Sequence, residues 1–442
     1  MDRFIIEGVR CFRLRQEVPL APLTLLVGEN STGKSTFLAA IRIVYDLVRA
    51  EAELNFNEEP FNLGAYSDIA SYAGGRGGRA KRFCLGFQVK DAQAAPGANS
   101  GAEPIRFLAT FCQEASHPKV AELRIKSGEY AIVAAEHGEE ETVRYVLAAG
   151  GRQGTLPVAK HVAMPDYPDL RFLGFLLRRE MVKPEKSLDL TQQDVEGLHG
   201  LLTRLFRAMR SRPYAIAPVR TRPERTYDPK VDTPRPEGRH IPMVLARMAS
   251  QEPEKWHSLR NALSEFGKAS GLFDTVRVRR PLGKKESDPF QIQIKVSGPA
   301  FNLVDVGYGV SQVLPIVVDS LTGADGQMFL MQQPEVHLHP RAQAELGTFL
   351  AQLVKQKRKS FVVETHSDYL IERIRLDVRD GRGVRPEDVV ILYFQRTETG
   401  VRIHPITIDD GGNVIGAPKG YRQFFLDEEQ RFLMAPNHVR DH

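Results

Sequence analysis

Gly28-Glu29-Asn30-Ser31-Thr32-Gly33-Lys34-Ser35-Thr36 follows the apolar run Leu23-Thr24-Leu25-Leu26-Val27 and precedes the apolar-periodic stretch Phe37-Leu38-Ala39-Ala40-Ile41. A strand, a loop bounded by glycines and a helix, in that order, make a phosphate-binding loop. The two glycines let the backbone curl so that successive N–H groups face phosphate oxygens, and Lys34 brings a point charge to the β- and γ-phosphates. Ser35 places its hydroxyl for Mg²⁺, while the helix that starts there aims its positive dipole end at the anion. The stretch therefore predicts a nucleoside triphosphate with Mg²⁺, held by the nine residues from Gly28 to Thr36.

A chain of 442 residues can bury one large core or two to three ordinary ones, so lobes or inserted subdomains are expected. Its 42% hydrophobic and 26% charged residues are those of a soluble globular protein. No apolar stretch reaches the length of a membrane span, and the opening Met1-Asp2-Arg3-Phe4 lacks signal-peptide character, so a cytoplasmic protein without a membrane partner is expected. The three cysteines, Cys11, Cys84 and Cys112, are dispersed, which supports neither a disulfide framework nor a Cys-rich metal site and predicts small buried apolar residues. A net charge of +5 and a pI near 9.0 permit nucleic acid without indicating it. Arg178-Arg179, Arg204 to Arg212, Arg220 to Arg225 and Arg277 to Lys285 concentrate charge in the middle third. Solvated helical faces explain such runs first, a phosphate-backbone surface second.

Along the chain, Phe4 to Phe12 and Pro22 to Val27 read as two strands feeding the loop, and a helix is expected from about Lys34 to Ala50. Short β-branched segments near Arg82–Val89, Ile105–Cys112, Ala121–Lys126, Ala131–Ala135 and Thr142–Leu147 predict an antiparallel meander, with an exposed loop over Ala92–Pro104. Val195, Leu198, Leu201, Leu202, Leu205, Phe206 and Met209 line one helical face. Pro213–Pro236 is rich in Pro and Arg, Ile241–Gly271 returns to helix, and Val276–Arg280 and Phe290–Val296 are strand-like. Apolar strand candidates Gln327–Met331 and Ser360–Thr365 then alternate with helices after Pro340 and after His366, the pattern of a parallel α/β sheet.

Three motifs in the last third complete the reading: Gly307-Tyr308-Gly309-Val310-Ser311-Gln312, then Gln332-Gln333-Pro334-Glu335-Val336-His337-Leu338-His339-Pro340 after an apolar strand, and Glu364-Thr365-His366-Ser367 after another. With the phosphate loop, in this order, they resemble an ABC-type ATPase, closest to the stand-alone SMC-like and OLD-like AAA-type ATPases of bacteria, including those of antiphage systems. The opening Phe4-Ile5-Ile6-Glu7-Gly8-Val9-Arg10-Cys11-Phe12 is also typical of that group. The resemblance implies an α/β fold: an ABC ATPase P-loop fold with an antiparallel β subdomain and an inserted helical lobe. Residues 1–168 would be the first ATPase lobe, 169–300 the helical lobe and insertion, 301–388 the part with signature and switch histidine, and 389–442 a C-terminal cap.

Carried over, the resemblance makes Ser311, with Gly309 and Gln312, the signature segment that contacts the γ-phosphate of ATP bound to the other subunit. Gln332 falls at the Mg²⁺-organising acid, Gln333 at the catalytic glutamate position and His366 at the switch histidine; Ser35 and Gln332 would hold Mg²⁺. Asn62 to Asp68 lies where related proteins have the loop that replaces the Gln loop. Relatives show Glu or Asp at the position of Gln332 and Glu or Gln at that of Gln333. An amide neither carries the charge to organise Mg²⁺ nor accepts a proton, so the expectation is nucleotide binding with impaired hydrolysis. His337, His339 and His366 with Glu335 can also be drawn as a zinc centre, but the ATPase motifs account for all four.

The function implied is an ATPase switch: ATP sandwiched between two subunits of a homodimer or higher homo-oligomer controls a separate effector protein, a nuclease among the candidates. Nucleic acid stays open as a partner, and the Pro-rich Arg220, Arg222, Arg225 and Tyr227 segment is expected to offer the surface for a protein or for DNA. The alternatives are a DNA repair or maintenance ATPase acting directly on DNA, and the nucleotide-binding subunit of a transporter.

Overall fold

The computed structural model describes residues 1–49, 54–90, 103–137, 142–159, 169–182, 189–209, 211–229, 233–281 and 285–421, with 427 and 430. The chain opens with β1 (Arg3–Glu7), β2 (Gln16–Pro19) and β3 (Leu23–Gly28), and the phosphate loop leads into α1 (Lys34–Arg49). After the short α2 (Tyr66–Ile69) come β4 (Arg82–Val89), β5 (Ile105–Glu114), β6 (His117–Ser127), β7 (Tyr130–His137), β8 (Thr142–Ala149) and β9 (Arg152–Ala159). The middle holds α3 (Leu170–Val182), α4 (Gln192–Ala208), β10 (Tyr214–Ile216), α5 (Ile241–Gln251), α6 (Pro253–Ser270), β11 (Thr275–Arg279), β12 (Gln291–Lys295) and β13 (Ala300–Asn302). The last third runs α7 (Tyr308–Thr322), β14 (Met328–Gln332), α8 (Pro340–Lys357), β15 (Ser360–Glu364), α9 (Asp368–Arg379), β16 (Val389–Thr397), β17 (Gly400–Ile408) and β18 (Val414–Ile415).

The fold is mixed α/β, a P-loop sheet beside a separate antiparallel one. The antiparallel sheet has the order β2-β1-β4-β5-β6-β7-β8-β9, so the expected meander is present and is extended at both ends. Its strands alternate as half-buried strands do: Ile105, Phe107, Ala109 and Phe111 of β5 are buried, and the residues between them are partly or fully exposed. The second sheet has the order β10-β14-β15-β3-β16-β17-β18, with β10 to β16 parallel and β17 and β18 antiparallel. A third sheet, β11-β12-β13, stands apart.

Parallel strands covered on both faces read as continuous apolar runs, and β3, β14 and β15 do so. Period-two alternation then divides their side chains between two cores. Leu26, Leu330 and Val362 join α1 and the antiparallel sheet, while Leu25, Phe329, Met331 and Val363 pack with α7, α8 and α9. Helix starts follow local chemistry: Pro340 opens α8, and the Ser367 hydroxyl accepts from Leu370 N–H at 3.1 Å to cap α9.

Four differences from the sequence expectations stand out. The segment from Phe4 forms β1 in the antiparallel sheet and does not lie beside β3. A strand, β10, lies inside the Pro- and Arg-rich stretch, too short for periodicity to reveal. Ile241–Gly271 is two helices, broken between Gln251 and Pro253, where a proline starts the second. The three cysteines are half-buried rather than buried. The loop expected over Ala92–Pro104 lies outside the described residues except for its last two, as do Phe424 and Phe425 of the expected cap.

One buried cation ties the parallel sheet to α7. Lys359, fully buried, donates from Nζ to Ser320 O at 2.5 Å and Gly323 O at 2.8 Å, satisfying carbonyls at the C-terminal end of that helix.

Candidate functional site

Topology brings the expected residues to one edge. The C-terminal ends of β3, β15 and β14 lie side by side, and their next residues are the phosphate loop, Thr365-His366 and Gln333-Pro334. In an open parallel sheet this is the edge where ligands bind.

The loop itself is shaped by two glycines. Gly28 has φ of 141° and Gly33 has φ of 90°, both left-handed conformations that disfavour a Cβ. A Cβ at Gly28 would lie 2.5 Å from the backbone oxygen of Phe394 on the adjacent β16, and one at Gly33 would meet Cys11 Sγ at 2.5 Å. Cys11 and Phe12 thus form a floor beneath the loop, and the Cys11 thiol donates to Thr32 O at 3.5 Å. Burial pushes that thiol up to about 11.

Lys34 is 2% exposed and donates to Gly28 O at 2.9 Å and Glu29 O at 2.7 Å, so its ammonium is held inside the curl of the loop. Burial lowers its pKa, opposed by the nearby Glu364 and Glu29 carboxylates. The Ser35 hydroxyl donates to Glu364 Oε2 at 2.7 Å. Burial raises the Glu364 carboxyl, opposed by that hydrogen bond and by Lys34.

Gln332 is 9% exposed at the end of β14, and its Oε1 is buried with no hydrogen-bond partner among the described residues. Gln333 turns the chain out of the strand at φ of 43° and donates its N–H to Glu364 O at 2.8 Å. His366 donates its backbone N–H to Glu335 Oε1 at 2.8 Å, and its imidazole is lowered by partial burial and then by the Lys34 charge. The phosphate-loop motif implies Mg²⁺, and the oxygens present would fit it. Ser35 Oγ and Glu364 Oε2 are in contact, the unpartnered Gln332 Oε1 is on the adjacent strand, and an all-oxygen set suits a hard cation.

The zinc alternative fails. Among the described residues no group of three or more His, Cys, Asp and Glu could hold a metal ion. His339 caps α8, accepting from Arg341 N–H, and the His337 ring packs edge-on against Tyr308 at 4.9 Å.

Arg10 connects the loop to the segment after it. Its Nη1 donates to Thr36 Oγ1 at 3.0 Å and its Nη2 to Leu63 O at 2.9 Å, bringing the Asn62–Asp68 stretch against α1. Beside Ser31 opens a cavity of about 380 Å³ whose lining includes Arg10, Arg13, Arg79, Arg396 and Tyr72. Arg396 also donates to Asn30 O at 2.9 Å, bracing the loop from β16. These arginines went unassigned in the sequence; a cluster that only the fold assembles has no linear signal.

Residues 244–371 match the AAA ATPase domain family. The match runs from α5 into α9, so it takes in α7, β14, α8 and β15 but not the phosphate loop. No curated protein is similar enough in sequence to match. Among solved structures, the chain is similar to an SmcHead bound to the C-winged helix domain of ScpA, at 12% identity and TM-score 0.49, covering 92% of this chain and 98% of that one. It is also similar to an Smc head domain with an extended coiled coil, bound to the C-terminal domain of ScpA, from Pyrococcus furiosus: 12% identity, TM-score 0.42, covering 97% and 99%. The SMC head domain from Thermotoga maritima gives 13% identity, TM-score 0.36, covering 91% and 98%. No helix among the described residues is long and apolar enough to cross a membrane.

The signature segment is oriented differently from its sequence reading. Ser311 is 5% exposed and its hydroxyl donates to Tyr308 O at 2.8 Å within the first turn of α7; Gln312 is buried too. Gly307, the N-cap, and Tyr308 are the exposed part, with Gly309 half-buried against His337 O. The open N–H groups of a helix start are therefore offered at Gly307–Gly309, and Ser311 supports them from within.

The arginine surface is corrected as well. Arg220 is 2% exposed, donates from Nη2 to Gln333 O at 3.2 Å, and is lowered to about 10 by burial. Its Nε and Nη1 find no partner among the described residues. Tyr227 is buried against the Phe290 ring. Only Arg222 and Arg225 face outward, and Arg225 is paired with Asp305. A polar side chain on a Pro-rich segment reads as exposed, but β10 pairs with β14 and the chain that follows it brings Arg220 to Gln333 at the end of that strand.

Proposed function

We propose that the chain is an ATP-binding ATPase of ABC type in which ATP·Mg²⁺ joins two copies, and that the resulting change of geometry controls a separate effector protein in bacterial antiphage defence. The observation that carries the switch is that the two helix starts belong to different cores: α1 packs in the core of the antiparallel sheet and α7 in the core on the other face of the parallel sheet. α1 opens at the phosphate loop, α7 opens at Gly307 beside His337, and no described hydrogen bond joins the two. Each is a half-site for a triphosphate. A second copy would bring its α7 start to the γ-phosphate held over Lys34, and loss of that phosphate would release it. The effector and the defence setting rest on the resemblance of the motifs. A protein of this kind has its working life in the cytoplasm.

Sedimentation velocity tests the switch. A shift from monomer to dimer is expected on adding ATP·Mg²⁺, and a strictly monomeric species at saturating ATP would sink it. Gly307→Asp probes the contact better than substitution of the buried Ser311. Nothing lies within 4 Å of a Cβ at Gly307, and Asp is a favoured N-cap, so the fold should tolerate it. Its charge would meet the triphosphate, and self-association should be lost while nucleotide binding stays.

A further inference from the structure

We propose that Glu364, at the tip of β15, is the carboxylate that positions Mg²⁺ beside Ser35, in place of the acid that β14 lacks at Gln332. This rests on the nucleotide reading above. It deepens that reading by moving the metal-ordering charge to a different strand.

The geometry has three independent parts. Glu364 is 7% exposed, and its Oε2 accepts from Ser35 Oγ at 2.7 Å, so the carboxylate already touches the hydroxyl expected to ligate the cation. Glu364 pairs with Gln332 in the parallel register of β15 and β14. Period-two alternation sends both side chains to the face of Leu330 and Val362, the face on which α1 packs. Finally, Gln332 Oε1 is buried without a partner among the described residues, an acceptor that a metal-bound water would satisfy.

Charge explains why the pair is one Glu and one Gln. Two carboxylates at paired positions on neighbouring strands would repel each other in a poorly solvated site. One carboxylate and one amide keep a single negative charge at this strand pair. The expectation of impaired hydrolysis counted acids on β14 alone; the neighbouring strand supplies one.

A purely structural Glu364 is the competing reading, since a carboxylate near the start of α1 complements the helix dipole. The two readings separate in metal dependence. If Glu364 only steadies the loop, its loss weakens nucleotide binding equally with and without metal. If it positions the cation, only the metal-dependent part disappears.

The test titrates a fluorescent ATP analogue into the full chain, with Mn²⁺ as the metal probe or with chelator. Glu364→Gln is expected to lose about 10- to 100-fold of the gain in affinity that Mn²⁺ confers, with metal-free affinity not reduced, since the carboxylate itself repels phosphate. The exchange Gln332→Glu with Glu364→Gln returns a carboxylate to the other strand of the same pair and is expected to recover most of the gain. Because it reuses the same two side chains, it reports even if the single variant is destabilised. A full Mn²⁺ gain in Glu364→Gln, equal losses with and without metal, or an exchange variant that binds nucleotide without metal dependence would each overturn the proposal. Absence of nucleotide binding in the unmodified chain, with and without Mn²⁺, would overturn the nucleotide reading itself and this one with it.

Discussion

Lys34→Ala is expected to weaken ATP·Mg²⁺ binding by about 2–5 kcal/mol, on the order of 30- to several-thousand-fold in Kd. The size follows from position. The ammonium is buried in the curl of the loop, within reach of phosphates that would lie under the loop N–H groups, and its removal leaves that charge unpaired in a poorly solvated place. Isothermal titration with ATP·Mg²⁺ measures it, and retained micromolar binding would show that the triphosphate sits elsewhere. The same substitution removes two hydrogen bonds that brace the loop, so a small loss of thermal stability should accompany the large loss of affinity.

Gly28→Ala is expected to be the most damaging small substitution in the loop for stability, at about 2–5 kcal/mol from strain and overpacking together. The obstructing atom is the Phe394 carbonyl oxygen, 2.5 Å from the new Cβ, and it belongs to the strand paired with Gly28. A side chain could rotate away, but a ladder carbonyl moves only with β16. The φ of 141° adds a conformation that alanine disfavours. Urea unfolding of the two proteins checks the value; a cost below about 1 kcal/mol would mean that β16 does not hold the loop.

The parts of the candidate site that can be read from the sequence are those whose signals are local. The glycine spacing around Lys34, the apolar runs of β3, β14 and β15, and the caps at Pro340 and Ser367 each declare themselves within a few residues. What escaped depends on which strands become neighbours. Gln332 and Glu364 lie far apart in the chain, and only the order β14-β15-β3 sets Glu364 between the loop strand and Gln332. Arg220 escaped for the same reason: β10 pairs with β14, and the chain that follows it brings Arg220 to Gln333. Ser311 was read as the outward residue of its motif, but the helix starts at Tyr308, and the helical period turns Ser311 inward. Lys359 carries no signal of its own in the sequence, and its burial follows from the packing of α7 over the sheet.

The central claim, that one nucleotide is shared by the Lys34 of one copy and the Gly307–Gly309 turn of another, is tested most directly by mixing two defective variants. Lys34→Ala keeps the turn and lacks the loop charge; Gly307→Asp keeps the loop and repels phosphate. In a mixed dimer one of the two shared sites is built entirely from intact halves. With the variants carrying donor and acceptor fluorophores, energy transfer is expected only in the mixture and only with ATP·Mg²⁺, while each variant alone stays monomeric. ATP-dependent energy transfer that is equally strong in preparations of either variant alone would contradict the shared site.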